Sequence, residues 1–298
     1  MGQYIEGDMQ ANLTEDQKQH YEINGYICNL PVYNAQAVAG IRANIEALEA
    51  DYSEGANGQT LNQYFRVNGH VVIPLLADLA RTPAILDAVE SVLGENLLVW
   101  SVELFIKEAG TEKTVSWHQD ITYWGMGETN DEVTAWVALS DVTEHAGCMR
   151  FIPGSHKDGI VKHEDTQDEH NLLSRGQRIA NIDEDGARAG PLKPGEMSLH
   201  HGRCFHASGP NRSDDRRIGL AIRYVTPEVR DGLPGRDYAM LVRGVDTARG
   251  WVNVAGPRDL FHPADMSLYD QIIQDQQSTL TAGAEQSVTL YSGKGTNA

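Results

Sequence analysis

Cysteine is scarce in this 298-residue chain: Cys28, Cys148 and Cys204 are odd in number, far apart, and form no Cys-x-x-Cys pair. Such a set argues against both a disulfide framework and a thiolate zinc site, so the thiols are expected in the core. Long apolar runs are also missing. No stretch of about 18 apolar residues occurs, and residues 1–10 carry acids where a signal peptide needs basic and then apolar positions. The expected setting is the cytoplasm. Gly2 follows Met1, but Glu6 stands where a myristoylation signal carries Ser or Thr. Without secretion, the Asn-x-Ser/Thr matches at Asn12 and Asn211 carry no weight. Cationic charge is short as well, with 24 Lys and Arg against 42 Asp and Glu and a net charge of −18. Neither nucleic acid nor an anionic membrane is an expected partner, because both require a cationic surface. Also lacking are a Gly-x-Ser-x-Gly elbow, a Gly-x-Gly-x-x-Gly turn with a following acid, a Walker lysine in context and His-Glu-x-x-His. Hydrolases and nicotinamide dehydrogenases are thereby disfavoured.

What is present is the composition of an ordinary globular protein, 41% hydrophobic and 22% charged. Thr14-Glu15-Asp16-Gln17 reads as a capping box that starts an amphipathic helix running toward Asn24-Gly25. A second helix is predicted over 35–50, followed by a loop at 55–58, and Pro83 fits the first turn of a third helix ending near Gly94. From Leu97 the character changes to short β-rich runs at 98–106, 114–118, 133–139, 149–152, 195–200 and 218–225. Strands of that spacing predict a sandwich or barrel, not a wound parallel sheet. The acid-rich stretch 163–190 is too long for a bare connection and is expected to be a lid-like insertion, while the tail 287–298 is expected to fray.

His118-Gln119-Asp120 closes one β-like run, and residues i and i+2 of a strand share a face, so the imidazole and carboxylate are expected to meet one metal ion. Among 11 histidines such a motif is weak alone. A second segment, 197–217, adds a later histidine, a nearby hydroxyl and an arginine leading into a strand. Two histidines and one carboxylate form the facial triad of non-haem iron(II) oxygenases, which leaves positions open for a chelating 2-oxo acid and O₂. The remote carboxylate of that cosubstrate needs an arginine fork with a hydroxyl donor.

From about 13 to 225, and on toward Pro257, the chain resembles the phytanoyl-CoA dioxygenase family of iron(II)- and 2-oxoglutarate-dependent oxygenases. The resembling pieces are the first helix with Asn24-Gly25-Tyr26, Trp117-His118-Gln119-Asp120, Thr134-Ala135-Trp136-Val137-Ala138-Leu139, Ile152-Pro153-Gly154-Ser155-His156-Lys157, and His206-Ala207-Ser208-Gly209-Pro210-Asn211 followed by Arg217. The resemblance implies iron on His118, Asp120 and His206. It gives Arg217 the salt bridge to 2-oxoglutarate, with Ser208 as hydroxyl partner, Trp136 lining that pocket and Gln119 near the cosubstrate. Strand geometry by itself points Gln119 away from the metal. Members that halogenate carbon carry a small residue where this chain has Asp120, so the resemblance implies hydroxylation.

Several positions keep two readings. Arg223 shares strand parity with Arg217 and is either a second positive charge in the pocket or a rim salt bridge; Arg216 should point outward. Lys107 either reaches the cosubstrate or substrate or guards a sheet edge. Tyr123 and Trp124 either flank the substrate pocket or pack in the core. His200 is the fallback for His206, because only one of His200 and His201 faces inward on a strand. His156 is expected to be structural, and His163 and His170 to be solvated.

The expected fold is a jelly-roll, the double-stranded β-helix of cupin type, with flanking N-terminal α-helices. The chain 1–298 is expected as one domain: helices over about 13–95, jelly-roll core over about 97–226 with the insertion at about 160–190, and an extension over 227–298. The expected activity is hydroxylation of an unactivated carbon of a small molecule (amino acid, aminophosphonate or natural-product-like) with release of succinate and CO₂. It would use Fe(II), 2-oxoglutarate and O₂, supported by ascorbate. The alternatives are a non-catalytic metal-binding sensor, or the same iron site used for halogenation, desaturation or epoxidation. An acidic exterior is expected to repel a polyanion such as an acyl-CoA.

Overall fold

Thr14 starts the first helix, α1 (Glu15–Asn24): its hydroxyl accepts the Gln17 N–H, and the Gln17 side chain accepts the Thr14 N–H. Gly25 ends it at φ 79°, and a Cβ there would lie 2.4 Å from the His156 ring, so both backbone and space demand glycine. The computed structural model describes residues 12–166, 168, 170–173, 176–230, 233 and 235–280. The tail expected to fray lies outside the described residues.

After β1 (Tyr26–Pro31) come α2 (Ala35–Asp51), capped by the Asn34 side chain, then α3 (Leu61–Arg66), α4 (Pro74–Leu79) and α5 (Pro83–Leu93). Both α4 and α5 begin on a proline, whose missing N–H has no helical acceptor to lose there. The strands follow: β2 (Leu97–Lys107), β3 (Val115–His118), β4 (Glu132–Ala138), β5 (Met149–Phe151), β6 (His163–Glu164), β7 (Arg178–Ile179), β8 (Arg188–Gly190), β9 (Glu196–His200), β10 (His206–Ser208), β11 (Arg217–Val225), β12 (Tyr238–Arg243) and β13 (Val252–Asn253). The final helix is α6 (Pro263–Leu280).

One sheet runs β1-β9-β4-β11-β2-β12-β13, and a second runs β3-β10-β5-β8. Together they form the jelly-roll, the double-stranded β-helix. The period of two along β11 divides its labour. Ile218, Leu220, Ile222 and Tyr224 join Val133, Ala135 and Val137 of β4 in a core with Ile41, Ile45, Leu76, Ile85 and Val89 of the helices. On the opposite face Trp136, Ala138, Phe105 and Ala221 meet Met149, Phe151 and Cys204 between the sheets. The helices thus seal one face of the large sheet. The other face is left for the interior of the roll.

The six predicted strands correspond to β2, β3, β4, β5, β9 and β11, and the three predicted helices to α1, α2 and α5. The acidic insertion carries structure of its own: β6 pairs with β7, and β8 extends the smaller sheet. It is tied to the strand leading into the metal motif, since Thr114 N–H donates to His170 O at 2.8 Å and Leu172 N–H to Thr114 O at 2.9 Å. The extension after Val225 adds β12, β13 and α6; Met266, Tyr269 and Ile272 of α6 enter the helical core. All three thiols are free, two of them buried and Cys28 half-buried, and burial pushes Cys28 and Cys204 up to about 12. Among the described residues no helix is long and apolar enough to cross a membrane.

Gly219 lies on β11 directly beneath the Trp136 indole, where a Cβ would sit 1.8 Å from Cζ2. Gly219→Ala should therefore cost about 1–3 kcal/mol through overpacking. Calorimetry should show a melting midpoint lower by several degrees; an unchanged midpoint would mean that the indole is not seated on this strand.

Candidate active site

Antiparallel pairing of β10 with β3 sets His206 opposite His118, with ring centroids 4.1 Å apart. The Nδ1 of His118 lies 2.9 Å from Ser116 O and 3.1 Å from His206 O, and the Nδ1 of His206 lies 3.0 Å from Cys204 O. Carbonyls only accept, so each Nδ1 carries the proton and each Nε2 presents a lone pair. Both lone pairs face Asp120 Oδ1, at 3.4 Å from His118 and 3.9 Å from His206. One ligand atom from each of the three residues lies within 4.8 Å of the others, and all three residues are buried.

Asp120 reaches this point differently from expectation. Strand β3 ends at His118, Gln119 remains extended (φ −113°, ψ 131°), and Asp120 opens a 3₁₀ turn. Shared strand parity therefore explains only half of the geometry; the turn aims the carboxylate. Its Oδ2 accepts the Thr134 hydroxyl at 2.9 Å. Burial opposes ionisation of Asp120, but the Arg223 guanidinium, with His200 beside it, holds the carboxyl well below the usual range. Burial, with His118 and His200 beside it, likewise holds His206 neutral, far below its ordinary pKa. An anionic oxygen and two neutral imidazoles are the protonation states a divalent ion needs. The donor set fits Fe(II).

The triad opens on a cavity of about 440 Å³. Arg217 lies at one end, and its register partner on β2, Lys107, stands behind Ser208 without lining the cavity; both are almost fully buried. Arg217 Nη1 donates to Gly147 O at 2.9 Å and Ser208 Oγ at 3.3 Å, and Lys107 Nζ donates to Ser208 Oγ at 2.7 Å and Gly209 O at 2.6 Å. Trp136 lies against the guanidinium, its ring centroid 5.0 Å from Cζ. Among the described residues no carboxylate pairs with either cation. Burial lowers Arg217 to about 10 and, with the Arg217 and Arg66 charges, pushes Lys107 well below its usual value. Lys107 is thus no edge guard, because it is only 1% exposed and turned to the interior of the roll beside Ser208.

Arg223 lies in the same cavity on the Asp120 side, with Nη1 2.8 Å from Glu103 Oε1 and Nη2 3.8 Å from Asp120 Oδ1. It is buried, so the rim salt bridge is excluded. Arg216 does point outward, to Glu49 and Glu108. Of the paired histidines, His200 faces the cavity with Nε2 3.5 Å from Asp120 Oδ2, while His201 turns away to Glu132 and Asn130.

Gln119 corrects the resemblance in favour of strand geometry. Its amide donates to Gly159 O and Arg203 O at 2.7 and 3.0 Å, its oxygen accepts Val161 N–H at 2.9 Å, and it does not line the cavity. His163 is not solvated as expected but half-buried, with Nε2 accepting the Gln119 N–H at 3.0 Å. His170 is exposed, and His156 is buried and bonded to Glu22 O, as expected. Trp124 packs against Trp100, Ile121 and Met126 behind Arg223 and stays out of the cavity; Tyr123 falls within the 3₁₀ turn. Sequence reasoning missed Thr134, although it shares strand parity with Trp136 on β4. It also missed Leu173, which the insertion adds to the cavity wall.

Thr134→Val keeps the shape but removes the donor to Asp120. Fe(II) affinity, measured by anaerobic equilibrium dialysis, should fall by about 10- to 100-fold; wild-type affinity would show that this bond does not orient the carboxylate.

The family model described as phytanoyl-CoA dioxygenase (PhyH) matches residues 21–219. A probable alpha-ketoglutarate-dependent hypophosphite dioxygenase of Stutzerimonas stutzeri is 29% identical over 291 residues, covering 89% of this chain and 98% of its own. Ectoine dioxygenase of Bordetella bronchiseptica is 28% identical over 248 residues, covering 76% and 79%. The apo structure of ThoJ, a non-heme monooxygenase, is 33% identical with a TM-score of 0.74, covering 89% of this chain and 98% of that one. The chain belongs to the phytanoyl-CoA dioxygenase family and is an Fe(II)- and 2-oxoglutarate-dependent dioxygenase.

Proposed function

We propose that this dioxygenase hydroxylates an unactivated carbon of a small polar molecule, such as an amino acid, an aminophosphonate or a natural-product-like amine. The convergence of His118, Asp120 and His206 on a cavity with an unpaired cationic end carries this reading. His118 Nε2, the Asp120 carboxylate and His206 Nε2 hold the iron. Arg217, with Ser208, receives the remote carboxylate of 2-oxoglutarate, where the buried guanidinium lacks an anion of its own, and Lys107 holds Ser208 in place from behind. Trp136 packs over Arg217 and fixes the direction of the fork.

When bound, iron activates O₂ together with the keto acid, which loses CO₂ and becomes succinate; one oxygen atom enters succinate and the other the substrate C–H bond. Phe105, Val115, Met149 and Leu173 line the rest of the cavity and keep water from competing with the substrate. Asp120 fills the position that a halide would need, which favours hydroxylation over halogenation. The relatives named for hypophosphite and ectoine support a small substrate. A cytoplasmic setting, where 2-oxoglutarate and ferrous iron are at hand, suits the reaction. The charge of −18 works against a bulky polyanionic thioester.

Purified protein with Fe(II), ascorbate and O₂ should convert 2-oxoglutarate to succinate, faster with the true substrate and poorly with phytanoyl-CoA. His206→Ala and Asp120→Ala should abolish succinate release, and Arg217→Met should raise the 2-oxoglutarate KM at least about tenfold. Full activity of either alanine variant would show that the ligands are misassigned.

A further inference from the structure

One row of register partners crosses the inner face of the large sheet: Ser101 with Arg223, Arg223 with Thr134, and Thr134 with His200. All four are buried, and the last three line the cavity. Arg217 and Arg223 are separated along β11 by about 20 Å of strand. A cosubstrate anchored at Arg217 therefore leaves the Arg223 end free.

The hydrogen bonding of this row does not close. Thr134 donates to Asp120, and His200, 1% exposed, reaches only the same carboxylate, Nε2 to Oδ2 at a long 3.5 Å, while its Nδ1 has no hydrogen-bond partner among the described residues. Arg223 Nε also has none among the described residues, while Nη1 pairs with Glu103 at 2.8 Å. Within 4 Å, Glu103 and Asp120 are the carboxylates near this guanidinium, and Asp120 also faces the metal position. A five-donor fork and an imidazole N–H thus share too few acceptors. Buried polar groups in a folded protein are satisfied by water or by a ligand. The shortfall here is of acceptors beside a cation, which an oxyanion would meet.

We infer that Arg223 and His200 form the oxyanion subsite of the substrate, which carries a carboxylate or phosphonate on a short carbon chain. One oxygen accepts from Arg223 and another from the His200 N–H, and the attached carbon is held beside Asp120 and the metal position. This inference rests on the function proposed above. It restricts the substrate to small oxyanions, and among these favours zwitterions, because the acidic exterior opposes higher negative charge.

The test uses the anaerobic Fe(II) protein loaded with 2-oxoglutarate and reads its weak visible absorption band. Acetate and methylphosphonate represent the two oxyanion classes, and acetamide is the neutral control. At least one oxyanion should perturb the band saturably, acetamide should not, and the stronger of the two identifies the class. His200→Leu and Arg223→Lys should weaken that oxyanion at least about tenfold, read as the concentration that half-perturbs whatever 2-oxoglutarate band each variant retains. Arg223→Lys retains a charge facing Glu103 and Asp120, so a loss there reports the fork and not a collapsed site. The inference is overturned if neither oxyanion perturbs the band, if acetamide binds equally well, or if both variants bind the oxyanion like wild type, which would mean direct binding to iron. A wild-type protein with no band at all would instead refute the function on which the inference rests.

Discussion

The buried carboxylate of Asp120 is the constraint around which the interior is arranged. An ionised carboxyl removed from water is costly unless donors and cations surround it, and here they are Thr134 on β4 and Arg223 on β11. His200 on β9 completes the ring. From β3 and β10 the Nε2 lone pairs of His118 and His206 face the same carboxylate, an arrangement that a divalent ion between them would complete. Electrostatics and metal-site geometry are therefore one problem solved by one set of residues.

Strand β11 shows how the fold carries this without losing stability. Its even-numbered residues are apolar and packed on the helices, while its odd-numbered residues place Arg217 at one end of the cavity and Arg223 at the other. Gly219 and Ala221 between them are small, which leaves room for Trp136 and for the cavity. The net charge of −18 thus coexists with a cationic interior. The excess of acidic residues opposes bulky anions, and the function proposed above puts the dianionic cosubstrate on the buried Arg217.

Much of this was legible in the sequence for a physical reason: capping boxes and period-two strands are local signals. Thr14 and Gln17 mark the first helix, and alternation along 218–225 places Arg217 and Arg223 on one face. His118, Asp120 and His206 were found through the resemblance and motif spacing. What was not legible depends on partners distant in sequence. The three-residue β10 is too short to show a period, and the 3₁₀ turn at Asp120 is set by packing beyond the strand end. Lys107 reads as an edge residue until its burial against Ser208 and Gly209, a hundred residues away in sequence, is seen. Gln119 and His163 belong to a clasp between the metal motif and the insertion, visible only once residues 159–163 are seen against β3. The helix α6 was hidden because few of its residues are apolar.

The central claim is that iron sits between two differently used basic ends of one cavity. A crystal structure of the anaerobic protein with Fe(II) and 2-oxoglutarate tests it most directly. The account predicts iron on His118 Nε2, Asp120 and His206 Nε2, with the remote carboxylate on Arg217 and Ser208 and with Arg223 and His200 left free. Iron bound through His200 in place of His206, or 2-oxoglutarate anchored on Arg223, would contradict it.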